Sequence, residues 1–204
     1  GCEVSTITKP PGRVLISAEQ FGRMQAAGVF EGQHVELLDG ELYEVTKNPP
    51  HNYAVDALAE ALRSLLPRDV YRVREEKSIE PWGHWWPEPD IAVVRGPKQR
   101  YQGRHPGPAD IVLIAEVCET SLQDRTKKLT GYAEAGFPVY WILDLSLRQL
   151  EVDSGRAPSR GGAGEYPAAA ILAETESVEV VIDGQVIGRI AVAELHPRSQ
   201  GGVP

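Results

Sequence analysis

The chain has 204 residues, 42% of them hydrophobic and 25% charged, with a formal net charge of −8. The length suits one sizeable domain, the composition weighs against global disorder, and the acidic balance weighs against a protein that holds nucleic acid chiefly by neutralising its phosphates. No apolar run approaches the roughly 18 residues that cross a bilayer, and the first residues lack the basic start and hydrophobic core of a secretory leader, so a cytoplasmic location without membrane contact is expected. Cys2 and Cys118 are two lone cysteines that offer neither a disulfide framework nor a zinc spacing.

Residues 1–13 and 197–204 lack periodicity and are expected to be flexible ends around a single domain spanning 14–196. Ser17 followed by Gln20 forms a capping-box pattern ahead of a short helix that Gly28 can close. Asp39-Gly40 between Val35–Leu38 and Glu41–Val45 predicts a hairpin, because its tight turn needs positive φ at both central residues. After Pro49-Pro50, Ala54, Leu58, Ala61, Leu62 and Leu65 keep the helical period until Pro67 stops it. Short strands are expected at 70–73, 77–80 and 91–94, and a strand buried on both faces at 111–117. A helix over about 123–135, with Leu129, Tyr132 and Ala133 inward and Gly136 at its end, leads into a strand at 139–143. Strands at 149–152 and 178–182 follow, separated by a Gly/Ser/Pro/Ala-rich stretch from Ser154 to Gly164 that reads as a mobile loop. Asp183-Gly184 predicts a second hairpin turn, and no internal repeat is visible.

The chemistry concentrates on three residues. Asp90, after Pro89, opens a buried strand and would project its carboxylate at the sheet end. Glu116 sits inside an otherwise apolar strand, where a carboxylate is costly unless it is paired or metal-bound. Two such carboxylates on neighbouring strands can share a Mg²⁺ ion, which prefers oxygen ligands and keeps several waters. Lys128, on the following helix, could bring its ammonium to the same place; Lys127 points about 100° away on a helix and is the second choice.

Each of these has a plainer alternative. Asp90 could accept backbone hydrogen bonds at a strand end, and Asp124 with Lys128 could form an ordinary helix-surface ion pair. Arg95, Lys98, Arg100, Arg104 and His105 share one Gly/Pro-rich stretch that is either phosphate-contacting or a solvated loop. Trp82, Trp85 and Trp86 could stack on bases, but packing around a Pro/Gly-rich turn is favoured. Ser121 lacks the surroundings of a nucleophile elbow, so a hydrolase triad is rejected.

Taken in order, several motifs resemble a known group. They are Glu36-Leu-x-Asp-Gly-Glu-Leu42, His51 ahead of a helix, Pro89-Asp90, Glu116-Val-x-x-x-Ser121, Asp124-x-x-x-Lys128 and Tyr132-Ala-x-Ala-Gly136-x-Pro-x-Tyr-Trp-Ile-x-Asp144. Over residues 14–196 the chain resembles the bacterial Uma-two family of restriction-type endonucleases, which is similar to the PD-(D/E)xK nucleases. The resemblance implies an α/β fold with a restriction-endonuclease-like core, a mixed central β-sheet flanked by helices, and additional β-hairpins. It also implies DNA as substrate, Mg²⁺ or Mn²⁺ held by Asp90 and Glu116, and a lysine that orients water or offsets developing charge. In the commoner superfamily pattern that lysine lies two residues after the glutamate, where this chain has Cys118; Lys128 matches the family's alternative spacing. Glu36 and His51 match other family positions, as an outer ligand or a phosphate contact. A homodimer is expected, since two copies conveniently make two cuts in a duplex. The alternatives are a nuclease fold used as a binding or regulatory module without turnover, and hydrolysis of RNA or a small phosphodiester.

Overall fold

The computed structural model describes residues 12–45, 47–119, 124–155 and 164–198, with the side chains of Asp124 and Arg125 excepted. Most of both expected flexible ends, most of the expected loop from Ser154 to Gly164, and Ser121 lie outside the described residues. The elements in chain order are α1 (Ala18–Ala26), β1 (Val35–Leu38), β2 (Glu41–Glu44), α2 (Pro49–Leu65), β3 (Tyr71–Glu75), β4 (Ile91–Arg95) and β5 (Ile111–Cys118). Then come a π-helical turn (Asp124–Lys128), α3 (Leu129–Glu134), β6 (Val139–Asp144), β7 (Gln149–Ser154), β8 (Ala168–Ala173), β9 (Ser177–Ile182), β10 (Gln185–Ala191) and α4 (Val192–Leu195).

The local rules read from the sequence act where they were expected. Ser17 and Gln20 close a reciprocal capping box on α1. Asp39 and Gly40 both take positive φ, 51° and 77°, and turn β1 into β2; Asp183 and Gly184 do the same between β9 and β10. A side chain at position 40 would also run into Leu15, whose Cβ lies 2.6 Å from where the added Cβ would sit.

Six strands form the main sheet in the order β3-β4-β5-β6-β7-β8. Only β5 and β6 run parallel, joined by the crossover through α3; the other neighbours are antiparallel, so the sheet is mixed. Strand β5 is buried along its whole length, as its apolar run requires. On one face, α2 contributes Ala54, Val55, Leu58, Ala59 and Leu62 to a core shared with Val93, Leu113, Ala115, Trp141 and the β9–β10 hairpin. On the other, Tyr132, Phe137 and Tyr140 pack against Ala92, Ile114, Cys118 and Ile142. Each of the large buried side chains contributes about 1.5–3 kcal/mol by leaving water.

Three expectations are corrected. Residues 77–80 are not a strand: Glu76 takes a positive φ of 49°, the chain leaves the plane of β3, and Ile79 N–H donates instead to the Pro87 carbonyl at 3.4 Å. Strand β8 was not foreseen, because its sequence of four alanines, isoleucine and leucine has little strand signature; it forms as an exposed edge on β7. The expected helix over 123–135 opens with the wider π-helical turn before becoming α-helical at Leu129. Among the described residues no helix is long and apolar enough to cross a membrane.

Candidate active site

The β4–β5 ladder pairs Ile91 with Ala115, which sets Asp90 opposite Glu116 at the sheet end. The Val117 N–H donates to Asp90 Oδ2 at 2.8 Å, and the Asp90 N–H lies 3.4 Å from Glu116 Oε2. Strand alternation puts both carboxylates on the face that carries Ala92, Ile114 and Cys118, the face covered by α3. They are 6% and 2% exposed.

Lys128 ends the π-helical turn and is itself 5% exposed. Its Nζ lies 3.1 Å from Glu116 Oε1 and 3.1 Å from Glu36 Oε1. Lys127 points away, to the part-exposed Glu41, with its ammonium 5.4 Å from the centre of the Tyr43 ring. The alternative pairing of Lys128 with Asp124 falls on a side chain outside the described residues. Glu36 arrives on β1, where it is buried, and its Oε2 accepts from the Glu88 N–H at 3.4 Å. Tyr132, one turn beyond Lys128 and fully buried, donates its hydroxyl to Glu116 Oε1 at 2.8 Å.

His51 occupies the first turn of α2, whose start is fixed by Asn48 accepting the His51 N–H at 3.0 Å and by prolines at the first helical positions. Its Nε2 lies 3.1 Å from Asp90 Oδ2, and its buried Nδ1 has no hydrogen-bond partner among the described residues. Burial opposes the charged form of both groups. In Asp90 that penalty is outweighed by the His51 hydrogen bond and charge, Lys128 and the Val117 N–H, so its pKa falls below the ordinary value. In His51 it is outweighed by the bond to Asp90, so its pKa rises. The ion pair is therefore favoured between the lowered carboxyl pKa and the raised imidazole pKa.

Glu76 was not singled out in the sequence, yet one ligand atom each from His51, Glu76 and Asp90 lies within 4.8 Å of the others. Its backbone N–H donates to the Asp90 carbonyl at 3.0 Å, and its carboxylate meets Lys47 at 2.8 Å. Tyr132 was legible as an inward helix residue and as the start of the Tyr132–Asp144 motif, with no role for its hydroxyl. No periodicity marks either one as part of a site; the positive φ at Glu76 and the buried hydroxyl of Tyr132 are visible only in the fold.

The donor set suits a hard divalent cation. Three buried carboxylates, Glu36, Asp90 and Glu116, gather around one buried ammonium, with His51 at the margin. Among the described residues negative charge exceeds positive in a poorly solvated place, and oxygen donors with one imidazole match Mg²⁺ or Mn²⁺ chemistry.

The basic stretch lies elsewhere. Arg95 is held by Asp183 in a two-pronged contact of 2.6 and 2.8 Å, and Arg100 and Arg104 both bind Asp110, while Lys98 is exposed. The tryptophans pack. Trp82 and Trp85 stack with ring centres 5.7 Å apart, Trp86 meets the edge of Phe21, and Trp85 is 8% exposed.

The fold is shared with a solved protein. A solved structure from Anabaena variabilis, described as a "putative nuclease" of the DUF820 group, superposes with a TM-score of 0.64 at 15% identity, covering 88% of this chain and 97% of its own. Residues 18–188 match the Uma2 family, whose description is "Putative restriction endonuclease", and the chain belongs to that family. No curated protein matches.

Proposed function

We propose that the chain is a Mg²⁺- or Mn²⁺-dependent endonuclease that hydrolyses DNA phosphodiester bonds. The observation that carries this reading is the convergence of Asp90, Glu116 and Lys128 at one sheet end, with both carboxylates buried and the ammonium 3.1 Å from Glu116. Asp90 and Glu116 would hold the cation, with Glu76 and His51 within reach of the same place through Asp90. When bound, such an ion polarises the phosphate and lowers the pKa of a coordinated water. Lys128 orients the attacking water or offsets charge developing on the phosphate oxygens. His51 keeps Asp90 ionised, and Glu36 fixes the lysine ammonium from its second side. A homodimer in which each copy cuts one strand belongs to the same reading, as does a single domain over 14–196.

The experiment is incubation of purified protein with plasmid and single-stranded DNA in Mg²⁺, Mn²⁺ or EDTA, beside Asp90→Ala and Glu116→Ala. Metal-dependent cleavage that falls at least about 10³-fold in both variants supports the site. Retained cleavage in both variants refutes it. No cleavage by the unaltered protein in any condition favours a binding module, which the acidic balance and Cys118 at the usual lysine position would suit.

A further inference from the structure

We infer that Tyr132 is a positioning residue for the metal-binding carboxylate, acting with Lys128 as a two-point clamp on one oxygen of Glu116; the inference rests on the reading of Asp90 and Glu116 as metal ligands. The tyrosine hydroxyl donates to Glu116 Oε1 at 2.8 Å, and the Lys128 ammonium meets the same oxygen at 3.1 Å. The two donors are four residues apart and descend from one helical face onto β5. The other oxygen, Oε2, lies on the Asp90 side, 3.4 Å from the Asp90 N–H. Holding Oε1 on the helix side thus turns Oε2 toward the place where a cation bridging Asp90 and Glu116 would sit.

The clamp is rigid because the tyrosine has nowhere to go. Its ring meets Phe137 and Tyr140 edge-on, with centroids 5.6 and 5.1 Å away, and the residue has no exposed surface. Gly131 beside it lets α3 come close, since a Cβ there would sit 2.5 Å from the Trp85 ring. A buried tyrosine in such a cluster needs no hydroxyl for packing, and phenylalanine would fill the same space. The hydroxyl is explained by what it orients. Groups that orient a metal ligand through a hydrogen bond commonly set metal affinity as strongly as they affect activity.

The test measures Mn²⁺ affinity by calorimetry and by the spin resonance of free Mn²⁺, on the whole 204-residue chain without DNA. Tyr132→Phe is expected to weaken binding by about 10–100-fold. Phe137→Leu loosens the same aromatic cluster without touching the hydroxyl; it should lower Tm while leaving Mn²⁺ affinity within about twofold, which a merely structural role for Tyr132 would not allow. Unchanged affinity in Tyr132→Phe, with Asp90→Ala abolishing binding, overturns the clamp and leaves the metal site standing. Absence of Mn²⁺ binding in the unaltered protein overturns both. If Tyr132→Phe does not fold, 3-fluorotyrosine at position 132 gives the second measurement. Its fluorine resonance should shift on Mg²⁺ addition and stay fixed in the Asp90→Ala background, and a resonance indifferent to Mg²⁺ in the unaltered background overturns the clamp.

Discussion

The two ends of β4 carry opposite kinds of charge cluster. Asp90 and Arg95 stand about 17 Å apart along an extended chain. At the Arg95 end the arginines are numerous in sequence but each has a carboxylate partner, because Asp110 takes Arg100 and Arg104 while Asp183 takes Arg95. At the Asp90 end, residues scattered from Glu36 to Lys128 converge, with negative charge in excess among the described residues. Arginines that stay part-exposed and each meet a carboxylate need no further partner; charges that the fold buries out of balance require something else to balance them.

The sharpest way to break this contrast is at the two neighbouring lysines. Lys128→Met should lower the single-turnover cleavage rate by about 10²–10³-fold, while Lys127→Met, which releases part-exposed Glu41 and the Tyr43 ring, stays within a few-fold of the unaltered protein. Lys128→Met also leaves two buried carboxylates without their ammonium and should cost about 3–5 kcal/mol in urea unfolding. Rates are therefore compared well below both unfolding transitions. Equal losses in the two variants would contradict the geometry.

At the Arg95 end the expected effect is on stability alone. Hydrogen bonds from Arg104 and the Gly107 N–H, with the charges of Arg104 and Arg100, outweigh burial and hold the Asp110 carboxyl at about 2, against the usual 3.8. A lowered carboxyl pKa stabilises the fold above the unfolded-state value and loses that contribution as pH falls through the folded value. Asp110→Asn should thus cost on the order of 2 kcal/mol at pH 7, with the difference shrinking from about pH 4 downward and vanishing near pH 2. Cleavage at pH 7 should be unchanged, and a loss of activity would tie the basic stretch to the reaction. The smallest effect belongs to Asp183→Asn. Its pair with Arg95 is half exposed, so about 0.2–1 kcal/mol is expected, fading in high salt.

Much of this was legible wherever short-range chemistry decides the structure. Asp39-Gly40 and Asp183-Gly184 turn because of φ at two residues, Ser17 and Gln20 cap α1 over one turn, and the apolar run from Ile111 can only be a buried strand or helix. The motifs of the resemblance also pointed to Asp90, Glu116, Lys128, Glu36 and His51, and these side chains meet in the fold. What escaped was set by tertiary contact. Residues 77–80 look strand-like in isolation, but the backbone turn at Glu76 sends them away from the sheet. The alanine-rich β8 forms because β7 offers it an unpaired edge. Glu76 sat between two expected strands, and Tyr132 stood in a motif that assigned no role to its hydroxyl; a hydroxyl's partner 16 residues away has no local signature.

The first hairpin sits outside the main sheet. Strand β1 bonds to the turn at Trp86 through the Leu37–Trp86 bridge, with one further bond from Gly40 to His84, and not to any of the six main strands. Glu36 therefore travels on a ribbon whose detachment need not disturb the ladder that carries Asp90 and Glu116. Local opening of this kind costs less than global unfolding. On such an opening the lysine would keep Glu116 and lose Glu36, and amide exchange at Leu37 and Gly40 faster than at the sheet centre would report it.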